Sequence, residues 1–560
     1  MRHVLPVKFG RVFGAVALTA ALLLPGLGVS AAEGDDPLVI KAGTDQDLQV
    51  LNPWNSVTVA DFEVFTLNYD LLVGFGQDLQ PVEGFAESWS TSDDGLTWTF
   101  KIRPDMKWSD GVPATSADVV YTYQLILDAA ETETGWLGQG YLDGYLTNAG
   151  VTSVTAPDPE TVVIETEFAS QLLLQVYAPI LPEHIWSEYS LEEIGNYTGA
   201  EPFLNEPPVV GTGPYQAVEF EPGNFIRFAR NENYWGKRGA ADEVIIQTFG
   251  SSDTMVQALK TGEIDYIRGM QPDQFTDLRD EPNIVAVEGI SNGYTELSFN
   301  TGGNSEGYGG RTAALSDPAF RDALGYAINT EELVESVLSG YGTPGSTIIP
   351  PFHSRWHVPP ENPRTFDIEE AKRRLETAGY RVNPAGQRLD KEGQPLNLRL
   401  TWPDSESENA TIAQFLTEWF GQLGITIDAA VTEEGKLTDD VTGPPNGPAD
   451  YDLYMWGWVG DPDPNSLLEF FTTDQIGGSS DSYYSNPRYD ELFELQRAEG
   501  DEAKRLEYLT EMQELVYAEA PYHILFYDSE LHAYRTDRFG SWANQPSEGG
   551  TPLFGYGPFG

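Results

Sequence analysis

The chain has 560 residues, 87 of them acidic and 32 basic, for a formal net charge of −55, and it contains no cysteine. The missing cysteines exclude disulfides, thiolate metal sites, a cysteine nucleophile and a lipid-carrying N-terminal cysteine. The negative charge argues against nucleic-acid binding, because a polyanion would be repelled. With 40% hydrophobic and 12% aromatic residues, the chain can fold, and its length indicates two or three lobes.

The N-terminal segment has the pattern of a secretory signal. Arg2, Lys8 and Arg11 form a basic start, and an apolar run extends over residues 12–29. Small residues follow at the positions that a signal peptidase requires. We therefore predict that residues 1–32 are a signal peptide that is cleaved, and that the mature protein is exported, soluble and not a lipoprotein.

The mature chain switches repeatedly between strand-like and helix-like periodicity, which predicts an α/β or α+β fold. Residues 38–42 are predicted to form a short apolar strand, residues 61–72 a helix, and residues 96–102 a half-buried strand. Capping patterns predict further helix starts. The capping residues are Thr115, Asp317 and Asp367.

Several strings of residues, in a fixed order, carry a family resemblance. They are Ala86-Glu87-Ser88-Trp89, Lys107-Trp108-Ser109-Asp110-Gly111, Gly211-Thr212-Gly213-Pro214-Tyr215, Arg230-Asn231-Glu232-Asn233-Tyr234-Trp235 and Gly457-Trp458-Val459-Gly460-Asp461-Pro462. Together they resemble the extracellular solute-binding protein family 5, the peptide and oligopeptide receptors of ABC importers. The resemblance covers residues 37–540.

The resemblance implies an α/β fold of the two-lobed, periplasmic-binding-protein-like type (type II, or Venus flytrap), with an additional α/β subdomain. The implied segments are residues 33–78, 206–288 and 515–560 for lobe I, 79–205 for the extra subdomain, and 289–514 for lobe II. Candidate crossings lie near residues 207–214, where proline and glycine accumulate, and around residues 289–295.

The implied function is that of an exported receptor, periplasmic or in the cell envelope. It binds peptides in a cleft between the lobes and delivers them to the permease subunits of an importer, acting as a monomer without a cofactor. An oligosaccharide receptor of the same fold remains open, as does a secreted hydrolase. The hydrolase has little support, because the two Gly-x-Ser-x-Gly strings, at residues 289–293 and 303–307, lack the strand-to-helix context of a nucleophile elbow.

Family resemblance also points to the ligand site. Asp461 matches the carboxylate that pairs with a peptide's α-amino group, and Gly457, Trp458 and Val459 are expected to present a strand edge to which a peptide can add. From the opposite lobe, Asp47 and Leu48 are the implied counterparts.

Three further observations concern the ligand site and its specificity. Tyr294 is a candidate cleft aromatic, although core packing is the usual position of such a residue. Dipeptide receptors of the family carry an arginine on the loop that corresponds to residues 403–409, and this loop has no basic residue here. Longer peptides, a cationic solute or an oligosaccharide are therefore favoured. His353 and His357 lie in a proline-rich loop and are predicted to be surface histidines, so no metal site is expected.

Overall fold

The computed structural model describes residues 37–46, 50–55, 59–130, 139–195, 203, 205–406, 408–442, 449–540, 542–547 and 549–552. The predicted signal peptide, residues 1–32, lies outside the described residues. So do Asp47 and Leu48, the implied ligand contacts of the first lobe.

The described strands, in chain order, are β1 Val39–Thr44, β2 Val73–Phe75, β3 Pro81–Glu83, β4 Ala86–Thr91, β5 Thr97–Ile102, β6 Val151–Asp158, β7 Thr161–Thr166, β8 Tyr215–Glu221, β9 Phe225–Arg230, β10 Glu243–Thr248, β11 Tyr266–Arg268, β12 Ile284–Ile290, β13 Gly293–Phe299, β14 Gly342–Pro344, β15 Asn397–Pro403, β16 Thr426–Thr432, β17 Leu453–Val459, β18 Tyr522–Arg535, β19 Asn544–Gln545 and β20 Thr551–Pro552.

The described helices are α1 Val59–Asn68, α2 Ser116–Ala130, α3 Gln139–Asn148, α4 Glu183–Trp186, α5 Leu191–Gly195, α6 Ser252–Thr261, α7 Pro272–Leu278, α8 Pro318–Gly325, α9 Thr330–Val337, α10 Ile368–Thr377, α11 Asn409–Gln422, α12 Glu434–Thr442, α13 Asn465–Glu469, α14 Pro487–Arg497 and α15 Glu502–Glu519. Two predicted caps are confirmed by their hydrogen bonds. The Asp317 side chain accepts from the amide of Ala319, and that of Asp367 from the amides of Glu369 and Glu370.

A twelve-stranded sheet connects the two halves of the fold. Its main path is β16-β15-β17-β13-β18-β11-β1-β10-β9-β8, and β12 and β14 also pair with β18. The long strand β18 belongs to both halves, because Tyr522–Phe526 pair with β13 whereas Ser529–Arg535 pair with β12. A second crossing, Ser291 and Asn292, links β12 to β13. Two adjacent crossings of a few residues form a hinge in which small backbone rotations can move one half relative to the other.

The extra subdomain has its own four-stranded sheet, in the order β4-β5-β7-β6. Its buried tryptophans Trp98, Trp108 and Trp186 belong to the same hydrophobic core as Phe228 and Val244 of the first half. The subdomain is therefore joined to lobe I by a continuous core.

One predicted lobe boundary does not follow the packing. The boundary between residues 514 and 515 falls inside α15. Helix α15 buries Met512 and Val516 in one core with Leu492 of α14, on the side of lobe II. The lobe II half therefore continues through α15 into the first part of β18. The helix and the beginning of the strand both pack against the same core.

Candidate functional site

Strand β17 has an edge that the other described strands leave open. All seven residues of β17 pair antiparallel with β13 on one side. On the other side, the pairing with β15 stops at Tyr454. The segment beyond it contains Gly457, Trp458 and Val459, and Val459 is 59% exposed. Unpaired backbone groups on such an edge can bind an extended ligand as an additional strand.

Two glycines allow the chain to turn tightly at the end of this edge. A β-carbon on Gly293 would lie 2.3 Å from the carbonyl oxygen of Trp458, and one on Gly460 would lie 2.8 Å from a leucine methyl group. The amide of Gly460 donates to the carbonyl oxygen of Asn292 at 2.9 Å, and the Asn292 side chain donates back to the Gly460 carbonyl. The residue that follows, Asp461, is thereby held beside the hinge.

Asp461 lines a cavity of about 580 Å³. Its Oδ1 accepts a hydrogen bond of 2.6 Å from the hydroxyl of Tyr145, on helix α3 of the extra subdomain. Burial raises the pKa of Asp461 above its ordinary value, and the hydrogen bond from Tyr145 opposes this effect. No lysine or arginine is among the described residues that line the cavity. Asp461 is therefore a carboxylate without a countercharge.

We call this space the acidic cavity. Its walls include Tyr145, Asn148, Gln175, Trp458, Glu469 and Phe470. The extra subdomain supplies one wall, through α3 and the short helical turn that ends at Gln175. Lobe II supplies the other wall, from the end of β17 to the end of α13. The indole of Trp458 packs against the ring of Phe470, with 4.0 Å between ring centroids and an angle of 32° between the ring planes.

Glu469 is the second carboxylate of the acidic cavity. Asn148 Nδ2 donates to its Oε2 at 2.9 Å, and Gln475 Nε2 donates to its Oε1 at 3.0 Å. Burial raises the pKa of Glu469. Both donors are neutral amides, so they orient the carboxylate but leave its charge available to a ligand.

Asp463, two residues after Asp461, has a different environment. It is 6% exposed, and Arg505 donates to both of its carboxylate oxygens, at 2.6 and 2.7 Å. It also accepts from the amide of Asn465, at the start of α13, at 3.0 Å. The hydrogen bond from Asn465 fixes the turn that leads into α13, so Asp463 has a structural role.

A larger cavity of about 710 Å³ adjoins the acidic cavity and shares Gln175 and Asp463 with it. His353 lines this second cavity and is 4% exposed. Burial lowers the pKa of His353 to about 4, so the imidazole is neutral at physiological pH. The prediction of a surface histidine is wrong at this position, because the loop turns the imidazole inward.

Carboxylates also surround the far end of the open edge. In the loop after β15, Glu406 accepts from Asn409 at 2.7 Å, and burial raises its pKa. On β18, burial together with the charges of Glu530, Glu408 and Glu406 raises the pKa of Asp528 to about 7. Thr295 Oγ1 donates to Asp528 at 3.4 Å. This end of the edge thus presents carboxyl groups, and the loop of residues 403–409 has no basic residue.

The structure brings some of the predicted site residues together and separates others. Asp461, Trp458, Gly457 and Val459 lie together at the end of β17, beside the acidic cavity. Tyr294 is 2% exposed and packs against the ring of Tyr522, so it belongs to the core and not to the cavity wall. Its place on β13 turns its ring toward that core.

Sequence reasoning missed Tyr145, Asn148 and Glu469. Tyr145 lies 316 residues from Asp461 in the chain, and no local pattern connects the two. Glu469 could have been predicted as a site residue, because it ends the short helix that begins directly after residues 461–464, Asp-Pro-Asp-Pro. The adjacent carboxylate and aromatic residue, Glu469 and Phe470, were a sequence signal for a binding site at this position.

Neither a metal-binding cluster nor a membrane-spanning helix is present among the described residues. No three His, Asp or Glu side chains among those residues are arranged to hold a metal ion. No helix in the described part of the chain is both long enough and apolar enough to cross a membrane.

Two α/β halves joined by a hinge, with a polar cavity beside an open strand edge near that hinge, define a two-lobed solute-binding protein. The family described as bacterial extracellular solute-binding proteins, family 5 (middle region), matches residues 80–479. The chain belongs to this family.

Individual relatives agree with this assignment along nearly the whole chain. The glutathione-binding protein GsiB of Escherichia coli (strain K12) is 24% identical over 531 residues, which are 94% of this chain and 95% of that protein. The fold is similar to that of the oligopeptide-binding protein AppA from Bacillus subtilis in complex with a nonapeptide, with a TM-score of 0.73, 21% identity, and coverage of 94% of this chain and 100% of AppA. It is also similar to DppA from Helicobacter pylori in complex with the peptide STSA, with a TM-score of 0.72, 20% identity, and coverage of 93% and 98%.

Proposed function

We propose that this protein is the exported receptor of an ABC importer, and that it binds peptides by their free N-terminus and delivers them to a membrane permease. The observation that carries the proposal is the open edge of β17, which leads directly to Asp461, a carboxylate without a countercharge. An extended peptide added to this edge gains main-chain hydrogen bonds whatever its side chains are. Its ammonium group neutralises Asp461 in a site from which water is largely excluded.

Closure follows from contacts made by both halves with one ligand. Asp461 and the β17 edge belong to lobe II, whereas Tyr145 belongs to the subdomain joined to lobe I. By family resemblance, Asp47 and Leu48 of lobe I contact the other side of the ligand. A ligand that touches both sides favours the closed arrangement by its differential affinity for it, so binding is a population shift about the hinge.

The residues at the far end of the cleft indicate which class of ligand the protein binds. Glu406 and Asp528 lie at this end, where burial and neighbouring acids raise the pKa of both carboxyl groups, and the loop of residues 403–409 has no basic residue, so nothing there neutralises the carboxylate of a dipeptide. The relative GsiB is a glutathione-binding protein, and glutathione is longer than a dipeptide, which supports a receptor for a ligand of more than two residues. An oligosaccharide fits less well, because one face of Trp458 is already covered by Phe470.

The remaining parts of the proposal concern the protein in the cell. The N-terminal segment, residues 1–32, acts as a cleaved secretory signal, and the mature receptor works as a monomer in the envelope or periplasm without a lipid anchor. It releases its ligand unchanged, because it is a receptor and not a hydrolase.

Calorimetric titration with matched peptides tests this function. The wild type is titrated with pooled peptides of mixed length that carry a free amine, and with the same pool after N-acetylation. We expect the Asp461→Asn variant to lose about 2–5 kcal/mol of affinity for the free-amine pool, the range for breaking a buried charge pair, and to bind the acetylated pool as weakly as the wild type does. Equal losses for both pools would contradict the role of Asp461. Cleaved peptide in the recovered ligand would indicate a hydrolase.

A further inference from the structure

The acidic cavity contains more negative charge than one ammonium group requires. Three carboxylates line it, those of Asp461, Asp463 and Glu469, and no lysine or arginine is among its described lining residues. Arg505 neutralises Asp463 from behind the wall with two hydrogen bonds. Asp461 and Glu469 remain, so the cavity has charge for two cationic groups, only one of which is the α-ammonium of a peptide.

The carboxylate of Glu469 is already oriented to accept hydrogen bonds from a ligand. Its two oxygens are held by different donors, Asn148 from the subdomain and Gln475 from lobe II. Both donors are uncharged, and each carboxylate oxygen has a further lone pair to offer. Arg497, whose charge reaches Glu469, is paired with Glu494 and lies over the ring of Phe168 at 4.8 Å. Arg497 is therefore occupied outside the cavity.

The other walls suit a flat or elongated cation. The rings of Trp458 and Phe470 pack together in the cavity wall, and aromatic rings attract guanidinium and ammonium groups. The side-chain oxygen of Gln175, which also lines the cavity, is buried and accepts no hydrogen bond. A buried acceptor without a donor is costly unless a ligand supplies the N–H group.

From these walls we infer that the acidic cavity selects peptides whose first residue is basic, with the α-ammonium at Asp461 and the arginine or lysine side chain at Glu469. Glu469 is thus a specificity-determining residue. The inference rests on the proposed binding of a peptide N-terminus at Asp461. A cavity of about 580 Å³ has room for a whole arginine residue beside the strand edge.

The experiment compares peptides that differ only at the first residue. Alanine-based peptides of mixed length that begin with arginine, with citrulline or with alanine are titrated into the wild type, Glu469→Gln and Asp474→Asn. Citrulline has nearly the shape of arginine without its charge. Asp474 is exposed and lies outside the cavity lining, so Asp474→Asn is a control that removes the same charge nearby.

We expect the wild type and Asp474→Asn to prefer the arginine peptide over the citrulline peptide by about ten- to a hundredfold, the usual range for a charge-assisted hydrogen bond. In Glu469→Gln the two affinities should become nearly equal. The wild-type comparison needs no variant, so it decides the inference even if Glu469→Gln folds poorly.

Two other outcomes are distinguishable. If the wild type binds all three peptides equally, and N-acetylation still abolishes binding, the selection of a basic first residue is wrong whereas the proposed function stands. If the wild type binds none of the free-amine peptides, the proposed function and this inference are both overturned.

Discussion

Asp461 and Asp463 lie two residues apart in the same string, yet their surroundings differ completely. Asp463 accepts two hydrogen bonds from a buried arginine and a third from the amide of Asn465, the first residue of α13. Asp461 receives one hydrogen bond from a neutral tyrosine hydroxyl and faces the acidic cavity. A buried carboxylate with its countercharge in place stabilises the local fold, whereas one without a countercharge is held ready for a cation from outside.

The largest expected effect comes from breaking the neutralised pair. Asp463→Asn leaves the guanidinium of Arg505, whose side chain is 7% exposed, without its countercharge. We expect the free energy of unfolding to fall by about 3–5 kcal/mol, because an unpaired buried charge is strongly unfavourable. Urea unfolding of the ligand-free protein measures this loss.

A double variant tests whether this loss of stability comes from the unpaired charge of Arg505. Combining Asp463→Asn with Arg505→Met should cost less than the sum of the two single changes, since no charge is then left buried. A loss below about 1 kcal/mol for Asp463→Asn would contradict the contrast between the two aspartates.

The next effect concerns a carboxylate that, like Asp461, lacks a countercharge. Asp528 has a pKa of about 7 in the folded state against an ordinary value of 3.8, so between these values the folded protein holds a proton that the unfolded chain has lost. Wild-type stability relative to Asp528→Asn should therefore fall as the pH rises from about 4 to about 7, and stay level above that.

We expect this pH-dependent difference to reach about 1–3 kcal/mol, reduced from the full linkage value because Asp528 is partly exposed. Urea unfolding of both proteins at several pH values between these limits measures it. A difference that is independent of pH, or that grows in favour of the wild type as the pH rises, would show that Asp528 is not held in its protonated form.

The smallest effect concerns the single hydrogen bond that Asp461 receives. Tyr145→Phe removes that bond without removing the ring, and we expect peptide affinity to change by about 0.5–1.5 kcal/mol. The pKa of Asp461 should rise further, since the hydroxyl opposes the effect of burial. Titrations at two pH values measure both changes, and a loss as large as that of Asp461→Asn would make Tyr145 an equal partner in binding.

The sequence identified Asp461 and the β17 edge as candidate site residues because both belong to one continuous string, residues 457–464, that the family resemblance covers. It also predicted the caps at Asp317 and Asp367, since a cap depends on residues within one helical turn. Contacts between distant segments were not predictable in this way. Tyr145 reaches Asp461 only after the subdomain packs on lobe II.

The burial of individual side chains was the other property that local sequence patterns could not predict. Tyr294 lies on β13 opposite Trp458, and both are aromatic residues in neighbouring strands. Only the packing against Tyr522 shows that Tyr294 belongs to the core. His353 gives the reverse case, because its proline-rich surroundings predicted a loop correctly but an exposed side chain wrongly.

The central claim is that a peptide binds along the open edge of β17 with its free amine at Asp461. A crystal structure of the protein with the peptide that co-purifies with it, or with a peptide from the titrations, tests this most directly. We predict that the peptide nitrogen lies within hydrogen-bond distance of the Asp461 carboxylate, and that the peptide main chain pairs with Gly457 and Val459. A ligand bound elsewhere, with this strand edge still unpaired in the closed protein, would contradict the account.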